Sequence, residues 1–293
     1  VSELVSYVIP TYNDQPEHLA EAVGSVLNQS YRFVEVVIVD DGSTAAVDPQ
    51  SWSEDPRVQL LTQENRGPSA ARNAGWEASR GQIVVFLDAD DWVDPTHAEE
   101  AVQLLTDQSV TVAVPAVHAF GEMHWSYQTE SGVCGADIAF ENRIPIGSAC
   151  RRRDIVEVGG FDAGLRAGLE DHEFWLRLLL TTGGHTGAMP SARLHYRIRP
   201  GQRSERQFTP EVTEATREAL LRNLNPSAFP DLCRGLWKAA EREKMARWEV
   251  VSDRFYLRPL VARWKGRAMG ATRLVPKVAT RVKGTRPDLL RLH

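Results

Sequence analysis

The chain has 293 residues, with 39 acids against 34 Lys and Arg, a formal net charge of −5, 42% hydrophobic and 25% charged residues. Those values describe an ordinary globular protein and exclude disordered, collagen-like and disulfide-scaffold classes. Three scattered cysteines (Cys134, Cys150, Cys233) form neither a zinc pattern nor a disulfide framework, no apolar run reaches ~18 residues, and the opening VSELVSYVIPTYN lacks a basic, then apolar, secretory pattern.

In chain order, Tyr7-Val8-Ile9 is a short apolar run that stops at Pro10. From Glu17 to Gln29, Leu19, Val23, Val26 and Leu27 recur at i, i+4, i+7, i+8, a helical face, with a start near Asp14 and Pro16. Val34 to Val39 is a second strand, ending at Asp40-Asp41-Gly42-Ser43, and Val58 to Leu61 a third. Pro68 to Ser79 is alanine-rich and helical. Ile83 to Leu87 is a fourth strand, followed at once by Asp88-Ala89-Asp90-Asp91. Pro95 to Leu105 reads as a helix and Val110 to Val117 as a strand. Residues 118–150, which include Trp125 and Tyr127, show no period that assigns an element. Asp154 to Val158 reads as a short helix, Leu169 to Thr182 as a clear one, and 212–248 is helical in composition.

Continuously apolar strands alternating with helices predict an α/β fold: a mostly parallel sheet covered on both faces. Ligands bind such sheets at the carboxyl ends of the strands. Asp40-Asp41 and Asp88-Asp90 both sit there, so several carboxylates share one edge. Residues two apart in an extended segment point the same way, and Asp88 and Asp90 can therefore converge on one Mg²⁺ or Mn²⁺. An acidic turn or helix start explains the same residues.

The ordered set IPTYN, VDDGS, ENRGPSAARNAG, FLDADD and GLEDHEFWLR resembles the family 2 glycosyltransferases of the GT-A fold, over roughly the first 200 residues. The resemblance implies a Rossmann-like GT-A domain over 1–205 and a helical extension over 206–293. It implies a nucleotide-diphosphate sugar donor, UDP-sugar favoured, with Pro10, Thr11 and Tyr12 beside the nucleotide. Asp41 would accept from the base, and Asp40 would shape the turn. Arg72 would lie near the nucleotide, and Asn73 and Gly75 would pack helix against site. Asp88 would approach ribose and metal, and Asp90 would be the main ligand of Mn²⁺ or Mg²⁺. Trp92 could face the sugar, although core packing accounts for it better.

By the same resemblance, the general base lies in Glu170-Asp171. Neighbouring helical residues are about 100° apart, so one faces the sugar; Asp171 is favoured, with Glu170 in reserve. Acids complementing the helix dipole are the plainer reading of that pair. His172 reads as packed or solvated. Where the family often carries a histidine past this helix, the chain reads LHYRIRPGQRS. Arg199 stands in that slot, and Arg197, Arg199 and Arg203 could neutralise a diphosphate. His195 is a weaker candidate third metal ligand. One base and one metal suit an inverting single displacement.

The last forty residues, 254–293, hold eleven Lys or Arg and the single acid Asp288, a net +10 that leaves −15 on residues 1–253. Aromatic and aliphatic residues interleave with these bases. The tail is therefore suited to an anionic membrane surface, to an anionic acceptor, or to its own acidic domain. The expected enzyme is cytoplasmic, with peripheral contact at the inner membrane face, acting on a glycan, lipid-linked or other hydroxyl acceptor in cell-envelope or polysaccharide synthesis. No nucleic-acid partner is expected. A nucleotidyltransferase of related fold is the main rival, although IPTYN lacks its Gly-rich phosphate loop; a non-catalytic binding module is the other.

Overall fold

A computed structural model describes residues 3–48, 52, 54–166, 168–200 and 209–242. Arg203 and the basic stretch 254–293 lie outside these residues, as do the proposals attached to them.

The first four long strands are β1 (Val5–Thr11), β2 (Val34–Asp40), β3 (Val58–Thr62) and β4 (Ile83–Phe86). They are mutually parallel in the order β3-β2-β1-β4. Every residue of β2 and β4 is buried, because helices cover both faces. Alternation sorts the side chains. Val5, Tyr7, Ile9, Ile83, Val85 and Leu87 enter one core with α1 (Pro16–Leu27) and α3 (His97–Leu104), while Val8, Val84 and Phe86 enter the other. Helix α2 (Pro68–Ala78) lies against β1 and β2, and its alanines allow close approach. A Cβ on Gly75 would stand 2.3 Å from Val8 Cγ1, so only glycine fits there.

The second half departs from a parallel sheet. β5 (Trp92–Val93), β6 (Val110–Gly121), β7 (Trp125–Tyr127), β8 (Ala149–Arg151) and β9 (His185–Ile198) complete a nine-stranded mixed sheet. β8 runs antiparallel between β4 and β6, β5 is antiparallel to β9, and β7 is antiparallel to β6, whereas β6 and β9 are parallel. The expectation of a mostly parallel sheet therefore holds for β1–β4 and needs correction beyond them. The three inserted strands are two or three residues long, too short to leave a periodic trace in sequence. β6 also runs to Gly121, past the expected end at Val117.

Helix α4 (Arg152–Val158) precedes α5 (Glu170–Thr182), which is buried on nearly all sides. α6 (Pro210–Asn223) and α7 (Phe229–Arg242) follow. Leu220, Leu224, Phe229, Leu232 and Leu236 share one core with Phe174, Trp175 and Leu178 of α5. These two helices thus back the element that carries Glu170 and Asp171. None of the described helices is long and apolar enough to cross a membrane. All three cysteines are free thiols.

Candidate active site

The strand ends are organised first by short backbone-directed hydrogen bonds. Asp40 Oδ1 accepts from Ser43 N at 2.9 Å, an Asx-type turn. Asn13, at φ 55°, accepts through Oδ1 from Thr44 N and Thr44 Oγ1, both at 2.9 Å, and its own N–H donates to Ser43 Oγ. Asp14 does not cap α1, where Gln15 takes the cap position; its carboxylate instead accepts from Thr11 Oγ1 and Tyr12 N. Pro10, Thr11 and Tyr12 therefore end β1 in a loop tied to the VDDGS turn, with Tyr12 exposed and Thr11 buried.

Asp41 carries more structure than expected. Its Oδ1 accepts from Gln63 Nε2 (2.7 Å) and Arg66 N (2.9 Å), and its Oδ2 from Gly67 N (2.8 Å). A carboxylate offers about four acceptor sites, so about one remains for a base. The three bonds fix the 63–67 loop that launches α2, and hence the helix bearing Arg72.

Arg72 is buried between two acids. Its Nη2 meets Asp88 Oδ1 at 2.7 Å and its Nη1 meets Glu170 Oε1 at 3.0 Å. Burial works against its charge, but Asp88 and Glu170 outweigh it and raise its pKa. The guanidinium lies 5.4 Å over Phe161, which stacks on Phe174 at 4.1 Å. Asn73 holds Phe161 through two backbone bonds of 2.8 Å, giving the helix-to-site packing role a direct form.

Asp90 meets Arg199 Nη2 at 2.5 Å, and Asp14 lies 3.7 Å from the same nitrogen. Burial, then the Asp88 charge, pushes Asp90 up to about 6, against the pull of Arg199. Asp91 is fully buried and raised by burial and by Asp90; it accepts from Arg197 N at 2.8 Å. Arg197 Nε donates to Asp90 O at 3.0 Å, and its guanidinium also pairs with Glu21.

Glu170 and Asp171 open α5. Leu169 before them is left-handed at φ 57°, uncommon for a residue with a branched side chain, and both acids line the cleft. Glu170 is buried against Arg72. Asp171 is partly exposed and accepts from Asn142 Nδ2 at 2.8 Å. Asn142 is oriented in turn by Ile144 N, which donates to its Oδ1 at 3.0 Å. Burial, then Glu170, pushes Asp171 up to about 6, with Arg72 opposing.

A cleft of about 380 Å³ gathers Arg72, Asp88, Asp90, Glu170, Asp171 and Arg199. His195 is not brought to it. Its Nε2 pairs with Asp94 Oδ1 at 2.8 Å and its ring stacks on Trp92 at 3.4 Å. For His195 this is a correction, whereas packing is the reading favoured for Trp92: cross-strand pairing of β5 with β9 sets Trp92 opposite His195, so each ring is packed against the other. Burial lowers the His195 pKa, with Asp94 opposing. His172 Nε2 donates to Ile138 O at 2.7 Å inside the core. Sequence reasoning missed Asn142, Tyr127 and Tyr196, which help form the site. The W-S-Y alternation at Trp125–Tyr127 was the one signal available for this wall.

The model for glycosyl transferase family 2 matches residues 6–171, more than half of the chain. The chain belongs to this family. It is 34% identical over 125 residues to the glycosyltransferase GlyA of Streptococcus pneumoniae serotype 4, a stretch covering 42% of this chain and 18% of that relative's length. In fold it is similar to S. aureus TarS 1-349 in complex with UDP-GlcNAc, at a TM-score of 0.65 and 18% identity, over 90% of this chain and 79% of that one. It is also similar to GalNAc-T7 with UDP, GalNAc and Mn²⁺, at 0.54 and 21%, over 67% and 44%. The mixed sheet with C-terminal helices is thus a GT-A-like arrangement.

Proposed function

We propose that this family 2 chain transfers a sugar from a nucleoside-diphosphate sugar, a UDP-sugar by preference, to an acceptor hydroxyl. The observation that carries this reading is the division of labour at the start of α5. Glu170 is neutralised by Arg72, whereas the adjacent Asp171 is partly exposed in the cleft and oriented by Asn142. A group pushed up to about 6 is a competent base near neutral pH, because it is ionised yet still basic.

Asp171 then takes the proton of the acceptor hydroxyl as its oxygen attacks the anomeric carbon. The bond from that carbon to the diphosphate breaks, and negative charge passes to the departing nucleoside diphosphate. Arg199 and Arg197 flank that side of the cleft and can pair with phosphate oxygens. Arg72 keeps Asp88 and Glu170 in place, and its Nε–H, which has no hydrogen-bond partner among the described residues, is a further donor. With one base and no second carboxylate required as nucleophile, the displacement inverts the anomeric centre.

A divalent cation fits the residues present. Five acids and three arginines line the cleft, an acid excess suited to a dication. Asp88 and Asp90 supply hard oxygen donors, and Mg²⁺ or Mn²⁺ commonly uses one or two carboxylates completed by phosphate oxygens and water. Among the described residues no group of three or more His, Cys, Asp or Glu forms a metal cluster, so the site would rest on those two acids with the substrate. When bound, the cation would stabilise charge on the leaving diphosphate.

The test is release of nucleoside diphosphate from a panel of sugar nucleotides, with and without Mn²⁺. Turnover that Mn²⁺ stimulates, and that Asp90→Ala abolishes, is expected. Full activity of Asp90→Ala would remove the metal assignment. Release of pyrophosphate instead would replace sugar transfer by nucleotidyl transfer.

A further inference from the structure

One wall of the cleft is aromatic. It is built by three adjacent strands with one parity. Val117 and Ala119 of β6 pair with Tyr127 and Trp125 of β7 on one side, and with Leu194 and Tyr196 of β9 on the other. Residues two apart share a face, so Trp125, Tyr127 and Tyr196 stand on the same side of the sheet. Ala119 lies between Trp125 and Tyr196, and its small side chain lets the two rings approach to 6.3 Å. Trp125 and Tyr127 stack at 5.7 Å and 17°, yet each remains 41% exposed. Exposed aromatic planes grouped in this way mark an interaction surface.

Behind Tyr127 a second cavity of about 400 Å³ continues the first. Tyr127 lines both, and Asn142, which lines the second, holds Asp171 in the first. The second cavity is polar: Gln128, Glu130, Glu141 and Arg143 bring hydrogen-bonding groups of both kinds, and Arg143 stands 3.9 Å from Glu130. A lipid chain would find little apolar cover there. A sugar has a C–H-rich face that packs on an aromatic plane and a rim of hydroxyls that needs mixed donors and acceptors. Each cavity alone falls within the ~300–1,000 Å³ usual for ligand sites, so the pair exceeds what one sugar unit at the reaction centre needs.

We infer that Trp125, Tyr127 and Tyr196, with the polar cavity behind Tyr127, form an extended acceptor groove that takes a glycan of several sugar units, its terminal hydroxyl presented to Asp171. The inference rests on the sugar-transfer reading for its direction along the groove, though binding can be measured without turnover.

The full chain is titrated calorimetrically with cello-, chito- and malto-oligosaccharides of one to five units. At least one series should tighten tenfold or more between the monosaccharide and the trisaccharide. Trp125→Ala and Tyr127→Ala should each weaken that series tenfold or more, with unchanged thermal unfolding because both side chains are exposed. Arg143→Ala should weaken the longer probes and leave the monosaccharide unaffected. Affinity independent of length in every series, or unaltered by the aromatic substitutions, overturns the groove. So does Trp125-dependent binding to phosphatidylglycerol vesicles in place of oligosaccharides. Nucleoside diphosphate release is scored separately: oligosaccharide binding through these residues without release keeps the groove and sinks sugar transfer, and release without such binding does the reverse.

Discussion

The two sides of the cleft are made differently. On the side we propose for the donor, carboxylates at the ends of β2 and β4 are held by backbone N–H groups, by Gln63 and by arginine: Asp41 by three donors, Asp40 by Ser43, Asp88 by Arg72. On the side we propose for the acceptor, the short β7, antiparallel to β6, and the long β9, parallel to it, present aromatic rings, and a long loop reaches Asp171 through one asparagine. The first is a charged, preorganised socket and the second a surface.

That contrast can be broken or sharpened by substitution. Asp171→Asn should lower kcat by about 10²–10⁴ and leave nucleotide binding intact, since it removes the base from the acceptor side alone; single-turnover kinetics with a bound-nucleotide measurement check this. In the free enzyme kcat/KM should fall tenfold per unit below about pH 6, as the Asp171 carboxylate takes up its proton. Arg72→Met strips the counter-charge from buried Glu170 and from Asp88 and should cost about 3–5 kcal/mol in chemical denaturation. An unchanged midpoint would show that the two sides are not joined through this residue.

A third effect is read in pH. His97 accepts from Tyr7 Oη at Nδ1 and donates from Nε2 to Gly147 O, both at 2.8 Å, bracing β1, α3 and the loop that bears Pro145 and Ile146. Burial lowers its pKa to about 4 from 6.5, with Glu100 and Asp94 opposing. The unfolded chain therefore binds more protons between those values, and stability falls as pH drops from 6.5 to 4, by about 3 kcal/mol at most. Asp90 and Asp171, raised to about 6, act in the opposite sense between 6 and 3.8. The His97→Gln variant isolates the first contribution: its stability should lack one proton of acid dependence relative to the parent. The smallest effect is that of Asp41→Asn, which turns a donor toward the 63–67 backbone and should cost about 1–3 kcal/mol, together with weaker nucleotide binding.

The donor side was legible in sequence because its residues sit at the ends of long apolar strands, where period and position coincide. Asp88 and Asp90 fell on one edge from pattern alone, whereas the place of Arg72 near the nucleotide rested on the family resemblance. What Asp41 does for the Gln63–Gly67 loop was not legible, since backbone donors carry no residue signature. The acceptor side was opaque for a different reason. β7 and β8 are three residues each, and the loop of 128–148 is held by scattered bonds such as Thr129 Oγ1 to Val114 O and Thr186 Oγ1 to Glu130 O. His195 was misplaced because its partner, Asp94, is a hundred residues away and visible only once β5 pairs with β9.

One guanidinium, that of Arg72, is shared between a strand end and a helix start. Substitutions at positions 72, 88 and 170 will therefore not have additive effects, because each alters the charge that the other two must balance. Loss of Asp88 leaves Arg72 with Glu170 alone, and loss of Glu170 hands the whole cation to Asp88. The three positions thus act as one electrostatic unit, whereas Trp125 and Tyr127 stand apart from it on β7.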